Sequence, residues 1–316
     1  MSANIYWNYK KLQWKVRKFL DIHCHIPCRV KKYNGKTILT KEDTNKKLAE
    51  LVDSDKPFCV ARIGGSELRA IVECQKESHN EERKKYMHNL LYCLSGFCDP
   101  YERIDDFSKL MESSMADVDM MCVWFNQMED VIIKKYCKKD VELGVLEGIE
   151  PWYNKSNPWS SHLKGKKVLV IHPFKDSILA QYKKRDQLFP GTDILPEFEL
   201  SVFKAVQSLL GEKNEHGDDW FDLLDYMTNE ALKIDFDIAL IACGAYGLPL
   251  AVRLKRAGKQ SIHMGGALQL LFGVRGKRWD NFDLLKEFYS DAWAYPLDSE
   301  KLGNDNSKHI ENACYW

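Results

Sequence analysis

Three short segments of the 316-residue chain carry residue types suited to holding a phosphate-bearing ligand. Arg62-Ile63-Gly64-Gly65-Ser66-Glu67, Cys243-Gly244-Ala245-Tyr246-Gly247 and His263-Met264-Gly265-Gly266-Ala267 each follow an apolar run and precede a helical pattern. Glycine accepts positive φ and lets a ligand approach the backbone closely. A helix that starts directly after such a turn aims its free N–H groups, and the positive end of its dipole, at that ligand. Tight βα turns also use glycine with no ligand in view, so the weight lies in the recurrence of the device and in its polar neighbours. His172-Pro173-Phe174-Lys175-Asp176-Ser177 adds a fourth polar loop after another apolar run. Gly273-Val274-Arg275-Gly276-Lys277-Arg278-Trp279 places three cations beside an aromatic ring, a set suited to a diphosphate and a base or sugar. Taken singly, each of those cations also reads as a solvated surface charge.

Several competing chemistries lose their signatures. The dinucleotide fingerprint GxGxxG, with an acid about twenty residues on, is absent, and Gly244–Gly247 holds only two of its glycines. There is no GxxxxGK[ST] phosphate loop and no GxSxG elbow. His23-Cys24-His25-Ile26-Pro27-Cys28 is the one stretch dense enough to suggest a metal, and it lacks the second Cys/His pair that a zinc module needs.

The elements that must position these segments alternate strand and helix from about residue 45. Strands are predicted at Pro57–Ile63, Met120–Phe125, Lys167–His172, Asp237–Cys243 and Ser261–Met264. Lys46–Val52 reads as the end of a helix, and further helices are predicted from Ser66 as cap to about Cys74, after a cap near Asp176, and over Glu199–Leu210, Trp220–Ile234 and Leu248–Ala257, with Gly258 closing the last. Residues 77–118 are polar and read as a mostly helical insertion. This alternation predicts an α/β, Rossmann-like, mostly parallel sheet with helices on both faces. The predicted layout is an N-terminal extension over residues 1–45 and a single domain over 46–316. In such a sheet the turns gather at the carboxyl edge, where ligands of these folds bind.

The N-terminal stretch has its own pattern. Ile5, Tyr9, Leu12, Val16 and Phe19 recur at helical spacing, with Leu20 at their edge, while Lys10, Lys11, Lys15, Arg17 and Lys18 fill the remainder before the first acid, Asp21. A basic amphipathic helix of this kind lies in an anionic membrane interface or packs on the body of its own protein. Over the whole chain, 46 basic residues balance 46 acidic ones, so the excess of positive charge that non-specific nucleic-acid binding draws on is missing. Scattered cysteines within apolar runs (Cys59, Cys122, Cys243), with no leader-like segment ahead of them, point to a reducing, cytoplasmic setting.

Taken in order, Ala61-Arg62-Ile63-Gly64-Gly65-Ser66-Glu67, Ile171-His172-Pro173-Phe174, Leu195-Pro196-Glu197-Phe198, Cys243–Gly247, Gly265-Gly266-Ala267-Leu268-Gln269 through Arg278-Trp279, and Glu311–Trp316 resemble the GT-D fold glycosyltransferases of bacterial surface-polysaccharide pathways. The resemblance spans roughly residues 45–316. It implies a nucleoside diphosphate sugar donor, with UDP favoured, and a glycan or lipid-linked acceptor. For the diphosphate the first candidates are Arg275 and Arg278 with the Gly265-Gly266 and Gly244–Gly247 backbones, with Lys175 and His172 second, in a wider donor site that takes in Arg62, Gly64, Gly65, Tyr246, His263, Gln269 and Trp279. For the catalytic carboxylate the resemblance offers Glu67 first, with Glu197, Glu199 and Glu311 beside other motifs as alternatives. Founding members carry Asp-x-Glu at the first turn, implicated in metal binding. Here the Asp position is Gly65, which leaves Glu67 as the lone carboxylate and puts a Mn or Mg cofactor in doubt. Two other classes stay open: an S-adenosylmethionine methyltransferase, against which Trp124-Phe125-Asn126 stands where an acid is expected, and a non-catalytic nucleotide-sugar or glycan binder.

Overall fold

A computed structural model describes residues 3–25, 29–76, 80–211, 214–301 and 315. Glu311 and Ile26-Pro27-Cys28 lie outside the described residues. Helix α1 (Ala3–Cys24) is followed by a small hairpin, β1 (Lys32–Tyr33) and β2 (Lys36–Thr37), and by α2 (Lys41–Asp53). Then come β3 (Phe58–Ala61), α3 (Gly65–Cys74), α4 (Glu81–Leu94), α5 (Ile104–Met115), β4 (Met120–Val123), α6 (Glu129–Tyr136), β5 (Glu142–Val145) and α7 (Leu146–Ile149). The second half runs β6 (Lys167–His172), α8 (Lys175–Tyr182), α9 (Arg185–Leu188), β7 (Glu199–Lys204), α10 (Trp220–Leu232), β8 (Ile238–Ile241), α11 (Gly247–Arg256), β9 (Gln260–His263), α12 (Leu268–Leu271) and α13 (Asp283–Lys286).

Strands β3 to β9 form one seven-stranded sheet in the order β5-β4-β3-β9-β8-β6-β7, and every pairing in it is parallel. The central strands Phe58–Ala61, Met120–Val123 and Ile238–Ile241 are buried at every position, because a parallel sheet is covered on both faces. Alternate side chains feed separate cores. Cys59 and Ala61 join Leu68, Ile71, Phe107 and Trp220 on one face, while Phe58 and Val60 join Trp152, Trp159 and Phe272 on the other. The chain leaves β6 outward to β7, whereas β8 leads the other way to β9, so the crossovers part between β8 and β6. A crevice forms at such a switch point, outside the carboxyl ends of the strands.

The five strands read from the sequence are all present, and two more flank them. β5 and β7 are the edge strands. The helix expected over Glu199–Leu210 is instead strand β7, Glu199–Lys204, paired along its length with β6. Its polar ends, Glu199 and Lys204, are exposed because an edge strand has solvent beside it, and that polarity mimics a helix surface. Helix α3 starts one residue before Ser66, with Gly64 as a cap that has no side chain, so Ser66 does not cap it. Helix α8 starts at Lys175, and its N-terminal N–H groups are satisfied from afar: the buried Glu300 carboxylate accepts from the amides of Asp176 (2.7 Å) and Ser177 (3.1 Å).

Candidate functional site

At the carboxyl edge a cavity of about 300 Å³ is lined by the turns after β3, β9, β8 and β6, the central strands of the sheet. The three glycine turns therefore meet in space, although about 180 residues separate the first, at Arg62–Glu67, from the second, at Cys243–Gly247. Gly244 (φ +57°) and Gly265 (φ +71°) hold left-handed backbone that other residues adopt at a cost. Both are also crowded: a Cβ at Gly244 would stand 2.5 Å from the Ser95 carbonyl oxygen, and one at Gly265 would stand 2.8 Å from Nη1 of Arg62.

Arg62 is the central cation. Its guanidinium lies over the Trp124 ring, 4.1 Å from the centroid, and its buried Nε has no hydrogen-bond partner among the described residues. Burial pulls the Arg62 pKa below its ordinary value, while the nearby Glu67 carboxylate opposes that shift. Glu67 is itself buried in the first turn of α3 and folds back over Gly64, where any Cβ would collide with its carboxylate. The Ser66 hydroxyl donates to Glu67 Oε2 (2.9 Å) and also meets the Ser95 hydroxyl at 2.6 Å. Glu67 thus presents its carboxylate to the cavity from the first turn of α3.

Both cavity histidines are neutral. Burial pushes His172 down to about 3, and its Nδ1 accepts from the Phe174 amide (2.9 Å), which leaves Nε2 as the N–H donor. His263 is also pushed down to about 3, by burial first and by Arg62 second. Its ring packs on Gly247, where a Cβ would come within 2.2 Å of Nε2. Gly247 thus supports His263 from behind and does not itself line the cavity. Charge in the lining comes from Arg62, Arg69 and Arg278 against Glu67 alone, so the field favours an anion.

The mouth is closed by elements that the strand-and-turn reading did not supply. The loop after α4 contributes Ser95 and Gly96, and the Ser95 carbonyl accepts from the Ala245 amide (2.9 Å). This clamps the helical insertion to the turn after β8. Ser208 meets the Tyr246 hydroxyl at 2.7 Å, and Tyr246 stacks on Trp220. Tyr315 lies over Gly266, and its hydroxyl accepts from Nη1 of Arg278 (3.2 Å). Gln269 lines the cavity, yet its amide also ties the carbonyls of Arg275 (2.9 Å) and Tyr315 (3.2 Å), so it organises the rim.

Several residues read as site candidates are not brought to the cavity. Arg275 bonds Asp280 (3.0 Å) and lies between the rings of Tyr289 and Tyr295, which turn it away from the lining. Trp279 is one layer out, against Tyr315. Lys175 opens α8, whose start is already occupied by Glu300, and it does not line the cavity. Glu199 begins β7 beside Lys167, and the Glu197 carbonyl accepts from Gly165, so both glutamates stand at the amino edge of the sheet. His172 ends β6 at the other edge, five residues or about 17 Å away. Glu197 is spent on Arg185 at 3.3 Å.

Sequence reasoning missed Arg69, Ser95, Trp124, Ser208 and Tyr315, which come from helices, loops and a C-terminal segment with no glycine signature. It also missed two carboxyls near the site. Glu150 is raised to about 8 by burial and Glu147, with Arg62 opposing. Glu129 is raised to about 7 by burial, while its oxygens accept from the amides of Trp124 (3.0 Å) and Asn126 (3.2 Å) and from the Tyr33 hydroxyl (3.0 Å). Glu129 thereby fixes the loop that holds Trp124 against Arg62.

A divalent ion needs several oxygen ligands. At the first turn Gly65 supplies none, and among the described residues no group of three or more His, Cys, Asp or Glu is placed to hold a metal.

The chain is similar to two solved structures. One carries the description "The highly conserved domain of unknown function 1792 has a distinct glycosyltransferase fold"; it aligns with 84% of this chain and 92% of its own, at 13% identity and a TM-score of 0.40. The other is a selenomethionine-substituted structure of domain of unknown function 1792, covering 91% of this chain and 96% of its own, at 12% identity and a TM-score of 0.42. No family model matches the chain, and neither does any curated protein. At this distance the functional case rests on the cavity itself.

Proposed function

We propose that the protein is a glycosyltransferase that moves a sugar from a nucleoside diphosphate sugar, with UDP favoured, to a hydroxyl of a glycan or lipid-linked acceptor. The resemblance of its motifs suggests polysaccharide synthesis of the capsule or O-antigen type, at the cytoplasmic side of the membrane. The observation that carries this reading is the meeting of three glycine turns, two of them opening full helices, with Arg62, Arg278 and the buried Glu67 in one cavity. The bond between the anomeric carbon and the β-phosphate oxygen breaks as the acceptor oxygen bonds to that carbon. The electron pair leaves on the diphosphate, where Arg62, Arg278 and the turn N–H groups offset the developing charge. The acceptor proton passes to Glu67. Neutral His172 donates a hydrogen bond without adding charge, which suits a sugar hydroxyl or a phosphate oxygen.

The test pairs binding with turnover. Thermal shift with UDP, GDP, CMP and S-adenosyl ligands should give a rise with one nucleotide and none with the S-adenosyl compounds; a ligand at about 100 times its Kd stabilises by about 2.7 kcal/mol. Glu67→Gln should keep that nucleotide's affinity within a few-fold while turnover falls by roughly two to four orders of magnitude. Near-full turnover in Glu67→Gln removes Glu67 from the chemistry. A shift with an S-adenosyl ligand alone moves the protein to another class.

A further inference from the structure

Helix α1 docks on the body by only one of its faces. Trp14 donates to the Phe125 carbonyl (2.9 Å), Lys10 pairs with Asp130 (2.5 Å), and Trp7 packs against the core cluster on that side. The two tryptophans that break the amphipathic pattern in the sequence are thus the docking residues. The opposite face is left open. Tyr9, Leu12, Val16, Phe19 and Ile22 are 54%, 60%, 49%, 58% and 57% exposed. They make a continuous apolar stripe about 20 Å long at 1.5 Å per residue. Of the nine large hydrophobic residues exposed among the described residues, these are five, on a single helix. Scattered exposed apolar side chains need no explanation, whereas a contiguous row of them marks an interaction surface.

Charge identifies the partner. Exposed Lys15 stands within the stripe, and Lys18 and Lys11 border it. The only acid on the helix is Asp21, which is paired with Lys18 at 3.5 Å. Pairing two copies of α1 along this face would bring lysines together with too few acids to match them, which disfavours a homotypic seam. An anionic lipid surface supplies both what the stripe and what the lysines lack: an apolar layer for the rings, and headgroup charge for long cationic side chains at its edge. No helix among the described residues is long and apolar enough to cross a membrane, so such contact would be peripheral.

We infer that the exposed face of α1 is a docking surface for anionic membranes, through its Tyr9–Ile22 stripe and Lys15 and Lys18. Its position ties it to the site. Trp14 holds the loop after β4, and Trp124 of that loop stacks on Arg62 in the cavity wall. The docking itself stands independently of the proposed transfer reaction.

The experiment is co-sedimentation of the full chain with vesicles of phosphatidylcholine alone and of phosphatidylcholine mixed with phosphatidylglycerol, at low and high salt, with sedimentation equilibrium in parallel. Wild type should bind the anionic vesicles at low salt, bind them less at high salt, and leave the neutral ones. Lys15→Gln with Lys18→Gln should weaken binding roughly twenty-five-fold, about fivefold per lysine near an anionic surface. Leu12→Asp with Phe19→Asp should abolish it. Both pairs are exposed, so their melting temperatures should stay at the wild-type value. Absent wild-type binding, or unchanged binding in both variants, overturns the inference. A dimer that dissociates in Leu12→Asp with Phe19→Asp, without vesicle binding, assigns the stripe to a second copy. A chain that binds vesicles but no nucleoside diphosphate would refute the proposed reaction and leave this surface standing.

Discussion

Replacing Arg62 with methionine removes one charge while keeping the length that packs on Trp124. The guanidinium sits 4.1 Å from that ring, and its buried Nε has no partner among the described residues. A buried donor left unpaired costs free energy, and a ligand oxygen is the group that would satisfy it. Arg62 also bears its charge against burial, which pulls its pKa down, so an anion beside it gains from an environment poor in competing water. A hydrogen bond to a charged group is worth about 1.5–3 kcal/mol, so Arg62→Met should weaken nucleoside diphosphate binding by roughly ten- to 150-fold. The free nucleoside has no phosphate to lose, and its affinity should change by less than about threefold, some 0.6 kcal/mol. Isothermal titration of both ligands into wild type and variant measures the two numbers, with a melting curve to show that the variant is folded. The reasoning fails if diphosphate affinity is unchanged. It also fails if diphosphate and nucleoside weaken equally, because the residue would then shape the pocket and not recognise phosphate.

Two further outcomes follow from the same groups. His172 is neutral in the fold with its pKa at about 3, whereas in the unfolded chain it takes up a proton as pH falls below about 6.5. Its contribution to stability is therefore full above pH 6.5 and is lost as pH falls through the window down to about 3, at about 1.4 kcal/mol per pH unit. His172→Gln keeps an acceptor for the Phe174 amide and removes that slope, so urea unfolding at pH 7 and at pH 5 should differ less in the variant by roughly 2 kcal/mol; an unchanged difference would contradict a neutral buried ring. Because Gly65 leaves Glu67 without a second carboxylate, EDTA should lower turnover by much less than about tenfold, and full loss restored by manganese would show that another acid completes a metal site.

What the sequence revealed follows from which interactions are local. Buried parallel strands announce themselves as apolar runs, so Lys167–His172 is legible to the residue, and its glycine-turn counterparts lie where strand direction puts them. Edge strands have one open side and mixed polarity. Glu199–Lys204 therefore looked helical, and Glu197 and Glu199, candidates because each lies beside a motif of the resemblance, stand at the edge opposite the cavity. Arg275 illustrates a second limit: cations three residues apart share a loop, but Asp280, Tyr289 and Tyr295 decide that Arg275 turns outward while Arg278 faces the cavity. Trp124, Ser95 and Tyr315 reach the site through tertiary contacts across 29 (Ser66 to Ser95) to 150 (Ser95 to Ala245) residues, and no spacing rule encodes those. The amphipathic face of α1 was readable, but its two tryptophans made sense only once the loop after β4 was seen to receive Trp14.

The central claim is that a nucleoside diphosphate sugar binds where the three glycine turns meet. Hydrogen exchange of the full chain, with and without the nucleotide that raises its melting temperature, tests this directly. The account predicts slowed exchange at residues 62–69, 243–247 and 264–269, with no change at residues 197–200 on the amino edge of the sheet. Protection confined to the amino edge, or spread evenly over the chain with none at the three turns, would contradict it.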